Sequence, residues 1–144
     1  MPEQKERFKV LYTDDKLKAA AESLKVQRNA EAPIRADTKS GKNPLTINSE
    51  KQARRMQETA IQGRSIVTVS MGELQEIINN NAGNGRIDLT RDLTAWKHTE
   101  IIAVGREIGY TVNKDGKKKT AYSIKIHYSN TGTHAVPFSG WWKK

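Results

Sequence analysis

The chain of 144 residues has no cysteine, and this absence excludes disulfides, thiol nucleophiles and thiolate metal sites. Apolar residues are also scarce, since they make up 35% of the sequence. No apolar run approaches the roughly 20 residues that a membrane-spanning helix needs. The first ten residues, MPEQKERFKV, lack the apolar segment of a signal peptide. We therefore expect a soluble chain with no membrane partner, or one piece of a longer exported protein.

Acidic residues are in the minority, and their deficit is uneven along the chain. Residues 1–50 carry 10 Lys and Arg against 8 Asp and Glu, whereas residues 51–144 carry 15 against 8, giving net charges of +2 and +7. A basic folded portion favours a polyanionic partner, RNA or DNA, over a small neutral substrate. The alternative is a basic surface that serves solubility.

The first third of the chain lacks sustained apolar periodicity. The stretch LYTDDKLKAAAESLKVQ predicts a helix opened by Thr13 or Asp14. Residues 29–48 contain two prolines, a glycine and many small polar residues, which indicate a linker. We predict a helix plus linker over residues 1–45 and a folded domain over residues 46–144.

Two helices and a strand are predicted at the start of this domain. Asn48 or Ser49 caps a helix that ends at Gly63, and RSIVTVS has the β-branched content of a strand. Ser70 caps a second helix, MGELQEIINNNAG, whose Gly83 suits the position after its C-terminus.

The second half of the chain predicts a sheet. After a polar loop that contains Trp96, TEIIAVGREIGYTV indicates one long strand, NKDGKKK a turn, TAYSIKIHYS a second strand and THAVPF a third. We therefore predict an α+β fold, in which N-terminal helices cover one side of a roughly four-stranded antiparallel sheet.

Alternation along TAYSIKIHYS separates two faces. The apolar face holds Tyr122, Ile124, Ile126 and Tyr128, and the other face holds Ser123, Lys125, His127 and Ser129. The second face combines a titratable base, a fixed positive charge and hydroxyl donors, which makes His127 the first candidate for a catalytic residue.

Whether His134 joins His127 depends on the turn between them, because directly opposed hairpin residues point to the same face. With a loop of two or four residues, Ser129 is expected to oppose His134, and the histidines share a face. With a loop of three residues, Ser129 opposes Thr133 and His134 lies on the apolar side. The apolar residues that follow have the parity of His134, which favours the second arrangement and a supporting role for this histidine.

A second polar cluster lies on and after the KQARR helix, with Lys51, Arg54, Arg55, Arg64 and Ser65. Lys51 and Arg55 are four residues apart, so both stand on one helix face, where like charges repel. An anion bound between them would relieve that repulsion.

No metal or nucleotide cofactor is predicted. HExxH is absent, no carboxylate pair has ligand spacing with a histidine, and GNG and GREIG lack a Walker or Rossmann context. The remaining groups suit cleavage of RNA by its own 2′-hydroxyl, in which a base removes that proton, an acid protonates the leaving 5′-oxygen and cations stabilise the phosphorane. The expected products are a 2′,3′-cyclic phosphate and a 5′-hydroxyl. DNA resists because it lacks the 2′-hydroxyl.

Several stretches resemble, in order, the polymorphic toxin type 50 domain over about residues 47–138: KQARRM, GRSI, GELQEIINNNAGNG, EIIAVGREIGYTVNKDGKK and IHYSNTGTHAVP. That domain is found at the C-termini of bacterial toxins and of some phage head proteins. The resemblance implies a ribonuclease toxin of the barnase, EndoU, colicin and RelE type of fold. It also implies action in the bacterial cytoplasm after delivery as part of a larger protein, and a cognate immunity protein as partner.

The resemblance carries over site residues to positions of this chain. The matching positions are Lys51, Gln52, Arg64, Ser65, His127, Tyr128, Ser129 and His134. Together with Arg55 from the helix and Lys125 from the polar strand face, these positions give the predicted site. The predicted catalytic set is His127, Arg55, His134 and Lys51, and the predicted RNA or phosphate contacts are Arg64, Ser65, Lys125, Ser129 and Tyr128. In this set His127 is the general acid or base, and Lys51 and Arg55 contact the phosphate.

One position departs from the family pattern. The family has a histidine four residues after the lysine, where this chain has Arg55, and Glu58 replaces a usual glycine. Arginine stays protonated near neutral pH and cannot act as a general base. If the family histidine transfers protons, the chain is an inactive form, natural or engineered; if that position only stabilises charge, Arg55 serves. The alternative function is a non-catalytic nucleic-acid-binding or phage head-associated module with the same fold.

Overall fold

The computed structural model describes residues 14–57 and 64–139. In these ranges the helices are α1 (Asp14–Lys39), α2 (Ser49–Ala53) and α3 (Met71–Asn81). The strands are β1 (Ile66–Val67), β2 (Arg86–Leu89), β3 (Trp96–Ala103), β4 (Gly109–Val112), β5 (Lys118–Ala121), β6 (Ser123–Ser129) and β7 (Gly132–Phe138). No helix within these ranges combines the length and apolar character of a membrane span.

The strands form two antiparallel sheets, which confirms the predicted α+β class. The larger sheet has four strands, in the order β2-β3-β6-β7. Its strand β2 was not predicted, and the predicted strand RSIVTVS contributes β1 to the other sheet. A smaller sheet, β1-β4-β5, was not predicted. The two sheets meet where β7 contacts β1 and β4.

The core lies against one face of the larger sheet. Ile124 and Ile126 of β6 are fully buried, and they cluster with Leu74 and Ile78 of α3. The alternation predicted for this strand is therefore confirmed for its apolar side. Tyr122 is the exception, because it lies between β5 and β6 and is 54% exposed.

Helix α3 begins and ends as predicted. The Ser70 hydroxyl accepts a hydrogen bond from the Glu73 N–H at 3.1 Å. After the last turn, Gly83 has φ = +87°, a conformation that glycine adopts without the cost of a Cβ. Leu74, Ile77 and Ile78 form the buried stripe of this helix.

The linker prediction is wrong for residues 29–39, which continue α1 to Lys39. Pro33 lies inside this helix. It has no N–H to donate to the carbonyl of Asn29, four residues earlier. Asn29 is an exposed residue. The last turns of α1 dock on the body of the domain, since Arg35 donates to the carbonyls of Gly83 and Gly85 at 2.9 and 2.8 Å.

Helix α2 has the predicted cap but is shorter than predicted. Asn48 accepts from the Lys51 N–H at 3.2 Å, and the helix ends at Ala53. The chain then pairs with β1, because the Val67 N–H donates to the Arg55 carbonyl at 2.6 Å. The predicted remainder, including Glu58 and Gly63, lies outside the described residues.

Two predicted long strands are each divided in two. Trp96 opens β3 rather than lying in a loop, and β3 is separated from β4 at Gly105, where φ is +82°. The Val104 and Gly105 N–H groups both donate to the carbonyl of Tyr122, the residue that divides β5 from β6. Both breaks thus occur at one place, where the chain passes from one sheet to the other.

Candidate functional site

The two histidines lie directly opposite each other on β6 and β7. The loop between these strands has two residues, and Ser129 pairs with Gly132 while His127 pairs with His134. Both predicted registers are therefore wrong in detail, since Ser129 opposes neither His134 nor Thr133. The favoured placement of His134 on the apolar side is also wrong, because it is the alternate residues of β7 that are buried: Thr133, Ala135 and Pro137.

The register has a local cause in the turn. Gly132 has φ = +115°, and a Cβ there would lie 2.5 Å from the Thr46 carbonyl oxygen. The Ser129 hydroxyl donates to the Gly132 carbonyl at 2.8 Å. Because only glycine fits this close approach, the short loop is fixed and places both imidazoles on one face.

The imidazoles of His127 and His134 form a stacked pair. Their ring centroids are 4.6 Å apart and the ring planes differ by 6°. Thr99 of β3 is the neighbour of His127 on its other side, so the three residues form one row across the sheet. Both histidines are half-buried, so neither is enclosed in the core.

The surroundings keep His127 neutral at physiological pH. Its pKa is lowered from 6.5 to about 4, first by burial and then by the positive charges of His134, Lys125 and Arg55. A neutral imidazole carries the free nitrogen lone pair that a general base needs.

The pKa of His134 is lowered as well, first by burial and then by the cations of α2 and the turn after it. Those cations are, in order of effect, Lys51, Arg55 and Arg54. Among the arginines that the structure describes, Arg55 is the one whose charge acts on both histidines. The charges of Lys51, Arg55 and Lys125 thus each act on one or both imidazoles of the stacked pair.

A buried glutamine holds α2 against the histidine strand. Gln52 is fully buried, and its side-chain amide bonds the main chain of Ala135 in both directions. The Ala135 N–H donates to Gln52 Oε1 at 2.6 Å, and Gln52 Nε2 donates to the Ala135 carbonyl at 2.9 Å. Since Ala135 follows His134, this clamp fixes the distance between the α2 cations and the imidazoles.

The other side of the site contains an acidic residue that the sequence did not identify. Asp88 Oδ2 lies 3.9 Å from Lys125 Nζ and accepts a 3.0 Å hydrogen bond from the Thr99 hydroxyl. Its place depends on an irregular pairing between Ile87 and Leu89 of β2. No local sequence signal predicts such an irregularity.

Arg64 and Ser65 lie at the border of the site. Burial lowers the pKa of Arg55, and the charge of Arg64 lowers it further, so these two guanidinium groups are electrostatic neighbours. The Ser65 hydroxyl accepts from the Val112 N–H at 3.1 Å. Ser65 therefore extends the edge of β4 instead of joining the histidine row.

Tyr128 lies on the opposite face from the histidines, so the predicted contact with RNA is not supported. It is 6% exposed, and its hydroxyl donates to Glu100 Oε1 at 2.7 Å. Burial and the bond to this carboxylate raise the pKa of Tyr128. Glu100, itself fully buried, also accepts from the N–H groups of Gly83 and Gly85 at 3.0 and 2.7 Å. This pair holds the glycine loop to the core.

Comparison with protein families gives a match that covers most of the chain. The model of the Ntox50 family, described as bacterial toxin 50, matches residues 47–137. The matched range includes α2, the stacked histidines and Lys125. No curated protein matches the chain.

Proposed function

Because the chain belongs to the bacterial toxin 50 family, we propose that it is a toxin domain that cleaves RNA by attack of a 2′-hydroxyl on the adjacent phosphodiester. The observation that supports this proposal is the stacked pair of His127 and His134 between cations on α2 and β6. Cleavage of this kind needs two proton-transfer groups and stabilisation of charge at phosphorus, and the site offers both.

His127 is the proposed general base. Its pKa of about 4 leaves it neutral at pH 7, so it can remove the proton of the 2′-hydroxyl. The O2′–P bond then forms as the P–O5′ bond breaks. His134 donates a proton to the leaving 5′-oxygen, and the products are a 2′,3′-cyclic phosphate and a 5′-hydroxyl. The two histidines exchange their protonation states in the step.

Binding of the substrate allows His134 to take up from solvent the proton that it needs. Burial and the charges of Lys51, Arg55 and Arg54 lower its pKa in the free protein. A bound phosphodiester offsets those charges and raises the pKa of an adjacent imidazole. The same anion relieves the repulsion between Lys51 and Arg55, so substrate binding and protonation of His134 favour each other.

Arg55 acts in this scheme by its charge. A guanidinium remains protonated near neutral pH even with its pKa lowered, and it can donate two hydrogen bonds to the phosphorane oxygens. Its effect on both histidines is consistent with this position beside the phosphate. In this scheme Arg55, which stands where the family has a histidine, stabilises charge and transfers no proton.

The test is cleavage of a defined oligoribonucleotide in EDTA, followed by analysis of the product ends. We expect His127→Gln and His134→Gln each to reduce the rate by about 10²–10⁴-fold, the usual contribution of a general acid or base. His98→Gln, at an exposed histidine on β3, is the matched control and should retain activity. A substrate with one 2′-deoxynucleotide should resist cleavage at that nucleotide.

Failure of both the unaltered chain and Arg55→His to cut any RNA would contradict the catalytic proposal. It would instead favour a second function, a nucleic-acid-binding module with the same fold. The observation that favours this alternative is Arg55 itself, which cannot transfer a proton. The module should bind RNA with an affinity that falls with salt and is indifferent to His127→Gln.

The family also leads us to propose a cognate immunity protein as partner. An acidic protein surface that covers the histidine pair would meet Lys51, Arg55 and Lys125 with complementary charge. Such a partner should protect RNA from cleavage at a stoichiometry of one to one.

A further inference from the structure

A second basic site lies away from the histidines, on the hairpin of β4 and β5. A groove of about 350 Å³ opens there, and no acidic side chain lines it. It is lined by Thr111, Val112, Asn113, Lys117, Lys118, Lys119 and Ser139. The lysine ammonium groups at this groove are donors of the kind that bind phosphate oxygens.

The groove is held in shape by bonds that do not involve a ligand. The Asn113 side-chain oxygen accepts from the N–H groups of Asp115 and Lys117, each at 2.9 Å, which fixes the turn. Lys118 Nζ lies 4.7 Å from the centroid of the Tyr110 ring, a cation–π contact that restrains the ammonium group. The hydroxyls of Thr111 and Ser139 are 2.7 Å apart across the groove.

The groove lies within one strand length of the histidine pair. Ser139, which lines the groove, directly follows β7, five residues after His134, or at most about 17 Å at a rise of about 3.3 Å per residue. On the other side of the groove, the Ser65 hydroxyl accepts from the Val112 N–H at 3.1 Å. Ser65 directly follows Arg64, so a further cation of the chain lies next in sequence to a residue that bonds the groove.

We propose that this groove, with Lys117 and Lys119, is a second phosphate subsite that binds the single strand of RNA whose scissile phosphate lies at the histidines. The inference rests on the proposed function and defines its substrate. A separation of at most about 17 Å along β7 suits one phosphodiester chain of roughly four nucleotides or more, at the lower end of single-strand site sizes. Substrates too short to reach the groove are bound only at the histidines.

Binding of an oligonucleotide that cannot be cleaved tests the groove without requiring catalysis. The probe is a labelled, single-stranded 2′-deoxy 12-mer, followed by fluorescence anisotropy over a range of salt concentrations. We expect Lys117→Ala/Lys119→Ala to weaken binding about 10-fold at low salt. The slope of log affinity against log salt should fall by about 1.4, since each phosphate contact of a single strand contributes about 0.7.

The matched control is Lys18→Ala/Lys25→Ala, which removes two lysines from the exposed part of α1. This variant should bind the 12-mer within about 2-fold of the unaltered chain, because its lysines do not line the groove. An equal loss in the control, or no loss in Lys117→Ala/Lys119→Ala, would overturn the subsite. Equal affinity of the unaltered chain for duplex DNA of the same length would overturn the assignment to a single strand.

Rates of RNA cleavage test the groove independently of binding. Lys117→Ala/Lys119→Ala should lower kcat/KM about 10-fold for a 12-mer of RNA and leave kcat/KM for a dinucleotide unchanged. A loss on the dinucleotide as well would place these lysines in the chemistry and overturn the subsite. If no RNA is cut by any variant, the proposed ribonuclease activity fails, while the anisotropy measurement still decides whether the groove binds a strand.

Discussion

At the scale of single residues, the site depends on two imidazoles that remain neutral where a free histidine would gain a proton. His127 has a pKa of about 4, against 6.5 for an unperturbed histidine, and His134 is shifted in the same direction. The folded chain therefore binds fewer protons at these positions than the unfolded chain does between about pH 6.5 and pH 4. By linkage, the free energy of unfolding rises with pH across this window and is level above it.

This linkage predicts that the free energy of unfolding decreases on acidification. Replacing both histidines should make this decrease smaller. Between pH 7 and pH 5 the two histidines should lower the free energy of unfolding by on the order of 1 kcal/mol. This value is discounted because the half-exposed rings are partly screened by water. Urea denaturation at the two pH values measures it. His127→Gln/His134→Gln should show the smaller difference between pH 7 and pH 5, and His98→Gln the same difference as the unaltered chain. An equal pH dependence in all three would contradict the assignment.

The sequence pattern predicted the sheet face of His127 correctly and that of His134 wrongly. Strand alternation assigned His127 to the polar face because His127 and the buried Ile126 adjoin within one regular strand. The face of His134 depends on the turn, whose length is set by the positive φ of Gly132 and its contact with Thr46. That contact joins residues far apart in sequence, so no local pattern contains it.

At the scale of elements, α2 functions through its attachment to β7. A helix of five residues is too short to be stable alone, and Gln52 ties it to the sheet by two bonds to Ala135. The position of Lys51, and of Arg55 beyond the helix, relative to His134 thus depends on one buried amide. The resemblance included Gln52 but did not assign it a role.

Gln52→Ala should therefore both destabilise the domain and disturb the site. It leaves the N–H and the carbonyl of Ala135 buried without these bonds, at a cost of about 2–4 kcal/mol. Urea denaturation measures this loss, and histidine titration by NMR should show the pKa of His134 rising as the cations of α2 move away. Gln57→Ala, at an exposed position, is the control. A variant that loses stability while His134 keeps its pKa would show that the clamp does not position the cations.

Element boundaries were less predictable than element types. The apolar positions Ile102, Val104 and Ile108 keep one parity through the break at Gly105, so periodicity alone indicates a continuous strand. Ile102 and Ile108 are both buried, yet Ile102 lies in β3 and Ile108 directly precedes β4. The break depends on the partner carbonyl of Tyr122, which only the folded chain brings into place.

At the scale of the whole molecule, helix α1 joins the N-terminal third of the chain to the toxin domain. Its residues 14–29 are exposed, whereas its last turns carry the buried Glu31 and Thr38. Arg35 connects Glu31 to the loop of Gly83 and Gly85, and Glu100 holds the same loop from the core side. The structural unit thus extends into the stretch that composition indicates as linker.

Two truncated chains test where the domain begins. A chain starting at Ala30 keeps the Arg35 contacts and should unfold at the same urea concentration as the chain of 144 residues. A chain starting at Leu45, near the boundary predicted from composition, loses the Arg35 bonds but keeps the Leu45 carbonyl, which accepts from Gln75 and Thr133. It should be less stable by about 1–3 kcal/mol, since bonds from charged donors contribute about that much. Arg35→Met in the full chain should reproduce most of this loss, because it removes the same bonds and keeps the helix. Equal stability of both truncated chains would instead favour a domain that begins near residue 46, with α1 as an appendage.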